Sequence, residues 1–356
     1  MINLKFKKHN LMKLNSVSSL IFVLMFVLAS CCCEKQEADS IKKNHVIYDT
    51  DANNEVDDQF ALAYLLFSGN HFVVEGVTVN ATSSPDGYSN YSKVEWHYDE
   101  AKRVMQLCGV WGDIPLFTGA QDAFEKIKPH LEESEFDGSE AVDFIIEQAM
   151  KPREGRLVLL PVGKLTNIAL ALKKEPRIAE KVRIVWLGSN YPKPGEHNQD
   201  WDIPSMNYIL DVDVPFDMVT VRYGDPSGTS AVMVAKTEIN RRMPGIGPKL
   251  SEPVTGRHGG EFYCWGDYAA ELYNKYESHM WGAPKGRALF DMAAVAILKN
   301  PEWAESYSHP APIFTDGQWV ERPDNKREIT IWEWFDIYAI PADFFETMHN
   351  YTVVSE

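Results

Sequence analysis

From His45 onward, apolar and polar positions alternate in blocks. "HVIYDTD" is a short apolar run ending in acids and predicts a strand, and "DDQFALAYLLFSG" has apolar residues at helical spacing and closes on Gly69. "FVVEGVTVNA" predicts a second strand, "NYSKVEWHYDEAKRVMQLCG" an amphipathic helix, and "DIPLFTG" a short strand. "GSEAVDFIIEQAMK" returns to the helical period, "GRLVLLPVG" is a fully apolar strand, "LTNIALALKKEP" a helix and "VRIVWLGSN" another buried strand. "SMNYILDVDVPF" starts a helix and "MVTVRYG" a strand. Later segments, "SAVMVAKTEINRRM", "EFYCWGDYAAELYNKY" and "LFDMAAVAILKN", read as further helices, and "ITIWEWFDIYAI" as an edge strand or core cover. Strands that alternate with helices imply βαβ units, hence an α/β fold with a mostly parallel central sheet covered by helices on both faces. No repeat or low-complexity linker interrupts residues 45–356, which are expected to form one domain.

The N-terminus follows a different pattern. Lys5, Lys7, Lys8 and Lys13 precede an apolar stretch from Val17 to Ala29, short for a membrane span and suited to a signal peptide. "LASC", Leu28 to Cys31, resembles a bacterial lipobox. The expectation is a lipoprotein signal over residues 1–30, a lipid on Cys31, and a polar tether over 31–44. The chain would then be exported and held at the inner or outer membrane, facing the periplasm or the cell surface. Of five cysteines, only Cys108 and Cys264 lie in the body; one disulfide and two buried thiols are both open.

Charge narrows the partners. The formal net charge is -16, with no basic patch after residue 45, which argues against nucleic acid and favours a neutral or cationic small molecule. A homo-oligomer is left open.

The most informative stretch is "VIYDTDANNEVDDQFALAYLLF". Asp49 and Asp51 end the first strand, and in open parallel sheets ligands bind beyond the carboxyl ends of strands. Asp57 and Asp58 open the next helix, where the macrodipole accepts negative charge. Dipole partnering accounts for one of that pair but not for four convergent aspartates. A hard cation such as Ca²⁺, which takes about six to eight oxygens, accounts for all. An EF-hand counted from Asp49 fails, because Asn54 stands where Gly is needed and Phe60 where Glu is needed. A strand followed by D-x-D is also how haloacid-dehalogenase-type phosphotransferases begin, with Asp49 as nucleophile.

"DTDANNEVDDQFALAYLL" resembles the D-x-D-x-G-x-D-D-x-x-A-L signature of the inosine-uridine preferring nucleoside hydrolases. "GVTVNAT", "DIPLFTGAQDAF", "LVLLPVGKLTNIALALKKEPRI", "MNYILDVDVPF" and "LFDMAAVA" are similar, in order, to that family's later motifs. The resemblance implies a Rossmann-like fold and Ca²⁺-dependent hydrolysis of an N-glycosidic bond in a ribonucleoside. It implies that Asp51 takes a proton from the attacking water while also holding the metal, with Asp58, Asp291 and the Val162 carbonyl as further ligands. It places Asp57 on the ribose 2′-hydroxyl and Asn207 on other sugar hydroxyls. Asn54, Asn80, Thr82, Asn198 and Trp265 complete the substrate-binding candidates, with Asp202 a lesser one. A sugar- or nucleoside-binding protein without turnover is the alternative from another class.

Two departures stand out. Five residues, Ala52 to Val56, separate Asp51 from the aspartate pair, two more than the family pattern, so Asn53, Asn54 or Glu55 can enter the site. Phe290 stands where the family has a histidine beside Asp291. Trp265, Tyr268 and Tyr273 at helical spacing are either stacking groups for the base or core residues, and His258 is either a proton donor or a surface histidine. His97 is expected on a solvated helix face.

Overall fold

The computed structural model of the protein describes residues 42–82 and 92–354. The expected signal, Cys31 and most of the expected tether lie outside these residues. An eight-stranded sheet organises the chain. β1 (Asn44–Thr50) lies between β2 (Phe72–Val79) and β4 (Leu157–Pro161). β3 (Leu116–Thr118) follows β2 on one side, and β5 (Val182–Leu187) and β6 (Phe216–Val219) follow β4 on the other. All these pairings are parallel. The strand Glu328–Glu333 runs parallel to β6, and Glu305–Pro310 closes the edge antiparallel to it. The aromatic tail segment thus contributes an interior strand, not an edge, because the more polar strand Glu305–Pro310 covers it.

The apolar runs that predict the strands are explained by burial on both faces. Val46 and Tyr48 of β1 join one hydrophobic cluster and Ile47 the other, as strand alternation requires. Helices Asp57–Leu66, Val94–Leu107, Trp265–Lys275, Met292–Lys299 and Ala339–His349 pack on the first face. Helices Ser139–Met150, Thr166–Lys174 and Ile203–Asp211 pack on the second.

The C-terminal third is less helical than its periodicity suggests. "SAVMVAKTEINRRM" divides into a 3₁₀ turn, a three-residue strand Met233–Ala235 and a short helix Lys236–Arg242, because Met233–Ala235 pairs with Gly286–Ala288. Cys108 and Cys264 are both buried free thiols.

One topological feature positions the site. Strand order reverses between β1 and β4, so the connections leaving these neighbours diverge and open a crevice at their carboxyl ends. Asp51 follows β1 there and Val162 follows β4. The two ends are tied by the Val162 amide, which donates to the Asp49 carbonyl at 2.8 Å.

Candidate active site

The four aspartates that frame the first strand and helix divide into two kinds. Asp49 is satisfied. Its Oδ2 accepts from Thr78 Oγ1 at 2.6 Å and Asn167 Nδ2 at 2.7 Å, and its Oδ1 accepts from Asn80 Nδ2 at 2.7 Å. Burial still pushes its carboxyl up to about 6 against those donors. With both oxygens engaged, Asp49 ties strand ends together and is unavailable as the nucleophile that a phosphotransferase would need.

Asp51, Asp57 and Asp58 are short of partners. The side-chain oxygens of Asp57, Asp58 and the distant Asp291 come within 4.8 Å of one another, all buried. Asp58 Oδ1 accepts from Thr50 Oγ1 at 2.5 Å. Among the described residues, Asp51 Oδ2 is buried with no hydrogen-bond partner. Burial raises every carboxyl in the group, and repulsion by neighbouring carboxylates adds to it at Asp51, Asp57 and Asp291. Asp57 rises to about 8 through burial and Asp58, and Asp58 to about 6 through burial. Asp51 and Asp291 go well above the usual carboxylate range, Asp51 through burial, Asp58 and Asp57, and Asp291 through burial, Asp57 and Asp58. Buried like charges without counter-charge are costly unless a cation or protons compensate them.

These residues line a cavity of about 480 Å³ with Asn54, Val162, Glu196, His197 and Asn198 among its walls. Gly163 follows Val162, and a Cβ there would lie 3.0 Å from Asp51 Oδ1, so glycine allows the β4 end to approach the acids. Asn198 Nδ2 donates to the Val162 carbonyl at 2.7 Å and to the Leu187 carbonyl at 3.0 Å, pinning two strand ends beside the cavity. Glu196 caps the short helix His197–Trp201. It accepts from the amides of Ser189, Asn198 and Gln199, yet burial outweighs these bonds and lifts it to about 7.

His197 Nε2 lies 2.7 Å from Asn54 Nδ2, accepts from Trp201 Nε1 at 2.5 Å, and stands 4.0 Å from Asp51 Oδ2. Burial lowers it to about 4, so the ring is neutral near pH 7. The longer loop does enter the site: Asn54 and Glu55 line the cavity, and Glu55 forms an ion pair with buried Arg287.

Several sequence expectations need correction. Asn207 faces away from the aspartates; its side chain exchanges two hydrogen bonds with the Phe314 backbone, because that face of its helix packs on the strand Ile313–Thr315. Trp265 is fully buried, edge-on to Phe60 at 5.7 Å, and outside the cavity walls; Tyr268 and Tyr273 are buried with it. Their spacing is that of a core stripe. Asn80 is committed to Asp49, and Thr82 pairs with Ser92, so neither reaches the cavity wall. Asp202 accepts from the Phe124 amide and from Thr166 Oγ1, a packing role. His97 is buried, not solvated. Its Nδ1 accepts from the Asn53 amide at 3.1 Å, and its Nε2 is 2.6 Å from Ser92 Oγ.

The sequence reading overlooked Glu196, His197, Tyr223, Met280, Trp281 and Arg287 as cavity residues. Glu196 and His197 had a signal, since they directly precede Asn198 in the same polar loop. The others, including the run Ser278–Trp281, belong to no motif in the sequence and carry none.

A family model of the inosine-uridine preferring nucleoside hydrolases matches residues 46–340. The chain belongs to this family. Its members hydrolyse N-glycosyl bonds, so the protein is a glycosidase acting on small nucleoside substrates. The non-specific ribonucleoside hydrolase RihC of Salmonella typhimurium is 26% identical over 297 residues, 78% of this chain and 85% of that protein. A plant nucleoside hydrolase, PpNRh1, superimposes with a TM-score of 0.66 at 17% identity, covering 86% of this chain and 99% of that one. A purine-preferring ribonucleoside hydrolase from Gardnerella vaginalis does so with a TM-score of 0.63 at 20% identity, covering 86% and 98%. At these identities the structural likenesses establish the shared fold.

Proposed function

We propose that the protein hydrolyses the N-glycosidic bond of a ribonucleoside or related N-riboside with the help of one Ca²⁺ held by Asp51, Asp58, Asp291 and the Val162 carbonyl. The observation carrying this reading is the meeting of Asp57, Asp58 and Asp291 within 4.8 Å beside the unpartnered Asp51 Oδ2. The donor set fits a hard cation: it is all oxygen, and its carboxyls are raised for want of positive charge. The Val162 carbonyl keeps one lone pair after accepting from Asn198. When bound, the ion makes water more acidic and orients sugar hydroxyls.

The chain's own residues supply the rest. Asp51 takes the proton of the attacking water at its free Oδ2, a contribution of about 10²–10⁴-fold for a placed base. Asp57, which opens the helix nearest the cluster, binds the ribose 2′-hydroxyl. The surrounding carboxylates stabilise the oxocarbenium character that develops at C1′. Asn54 reaches the sugar from the longer loop, while Asn198 holds the Val162 carbonyl in place. At the other end of the chain, we place a lipid on Cys31 that tethers an exported enzyme.

The test measures reducing sugar from a nucleoside panel, wild type beside Asp51→Ala, together with calcorimetric titration by Ca²⁺. Sugar release by wild type alone, at least about 10²-fold above the variant, is the expected result. Equal release by both proteins, or no Ca²⁺ uptake by wild type, sinks the proposal.

A further inference from the structure

Beyond the acids, the cavity is notable for what faces the leaving group. Its carboxylates are Asp51, Glu55, Asp57, Asp58, Glu196 and Asp291. Against these six stands, among the described residues, one guanidinium, Arg287, already paired with Glu55. Even one divalent cation leaves the cavity acidic. The remaining wall is largely aromatic and apolar, with Tyr223, Met280, Trp281 and Phe290, and it also carries Ser278 and His279, whose Oγ and Nδ1 lie 3.1 Å apart. Tyr223 and Phe290 meet edge to face, 5.8 Å between centroids, and Trp281 is about half exposed. Beside Asp291, where the sugar is held, Phe290 offers carbon and no proton. The His197 Nε2 lone pair is turned to the Trp201 and Asn54 N–H groups.

Resting on the hydrolase reading above, we infer that the site is built for N-ribosides whose leaving nitrogen belongs to a positively charged aromatic ring, of the N-alkylpurinium or pyridinium kind. Three features meet in this class. A flat cation is attracted by surplus carboxylates and by the faces of Trp281, Tyr223 and Phe290. A cationic ring also needs no acid. The C1′–N bond breaks, both electrons return to the ring, and the base departs with its positive charge cancelled. Water oxygen forms the new bond to C1′, and its proton passes to Asp51. A neutral nucleoside loses a base anion unless something protonates it, and the wall at Phe290 does not.

The matched pair N7-methylguanosine and guanosine tests this, with 4-nitrophenyl β-D-ribofuranoside as an uncharged substrate whose aglycone leaves unaided as the stable 4-nitrophenolate anion. The full-length protein in Ca²⁺ is expected to favour N7-methylguanosine over guanosine in kcat/KM by about 10²-fold or more, the worth of a missing acid. Part of any such ratio is intrinsic to the methylated base, so Phe290→His supplies the control. An imidazole there raises guanosine turnover and narrows the ratio at least about tenfold. Trp281→Ala, at a half-exposed position, raises KM for N7-methylguanosine about fivefold or more and raises KM for the uncharged nitrophenyl riboside by a smaller factor, because only the cation loses its attraction to the ring face. A ratio under ten, or one unmoved by both substitutions, overturns the inference. Cleavage of the nitrophenyl riboside in that case leaves the hydrolase reading standing; no sugar from any of the three overturns both.

Discussion

Asp49 and Asp51 are two residues apart and equally buried, yet they do opposite work. Asp49 receives three side-chain donors; Asp51 leaves one oxygen bare. Removing Asp49 strands Thr78, Asn80 and Asn167 inside the protein, each a desolvated donor worth about 1–3 kcal/mol. Asp49→Ala is therefore expected to lose about 3 kcal/mol or more, read as a lower Tm and denaturant midpoint. Asp51→Ala removes a charge that Asp57 and Asp58 repel. In chelator its Tm stays level or rises while sugar release disappears. A fall of several degrees in metal-free Asp51→Ala would mean that Asp51 is structural after all.

At the scale of elements, the loop between β1 and the Asp57–Leu66 helix is held from outside. Arg257 Nη1 donates to the Asn53 carbonyl at 3.0 Å, and its Nη2 donates to the Glu55 carbonyl at 3.0 Å and lies 2.7 Å from the Tyr276 hydroxyl. His97, from a different helix, accepts the Asn53 amide. A longer loop gains conformational freedom, and these contacts remove it from segments that carry Asn54 and Glu55 into the cavity. Arg257→Ala frees the loop while leaving the core intact. We expect KM to rise about tenfold, with a stability loss under about 2 kcal/mol, since the lost bonds are partly exposed. Steady-state kinetics beside thermal melts check this; an unchanged KM would show that the loop holds its shape without the clamp.

At the scale of the whole molecule, pH acts through the buried cluster. An unfolded aspartate titrates near its ordinary value of 3.8, whereas burial raises Asp58 to about 6 and Asp57 to about 8 in the folded protein. Their folded values are raised, so their contribution to stability is full below pH 3.8 and is lost as pH climbs through 6 to 8. His97 and His197 act in the other direction: lowered from 6.5 to about 4, they cost stability as pH falls through that interval. Both histidines are present with and without metal, so a difference measurement removes much of their effect. The Tm in Ca²⁺ minus the Tm in chelator is expected to grow from pH 5 to pH 8, because binding displaces protons that the cluster no longer holds at high pH. A difference independent of pH would show that the cluster does not take the ion.

The sequence alone determined the βαβ order, the central buried strands and the acidic end of β1. These are local facts: periodicity reports burial, and a strand's last residues must emerge at the sheet's carboxyl edge. The family resemblance also carried Asp291 into the same group, though it stands 240 positions after Asp51 in the chain. Which acid is satisfied and which is bare depended on Thr78, Asn80 and Asn167 arriving from other elements, so only the tertiary structure decided it. The same is true of Asn207 and Trp265, whose residue types suit a sugar or a base but whose helix faces turn elsewhere. Arg287, Trp281 and Tyr223 carry no mark in the chain. They become a wall only because distant loops converge over the point where the strand order reverses.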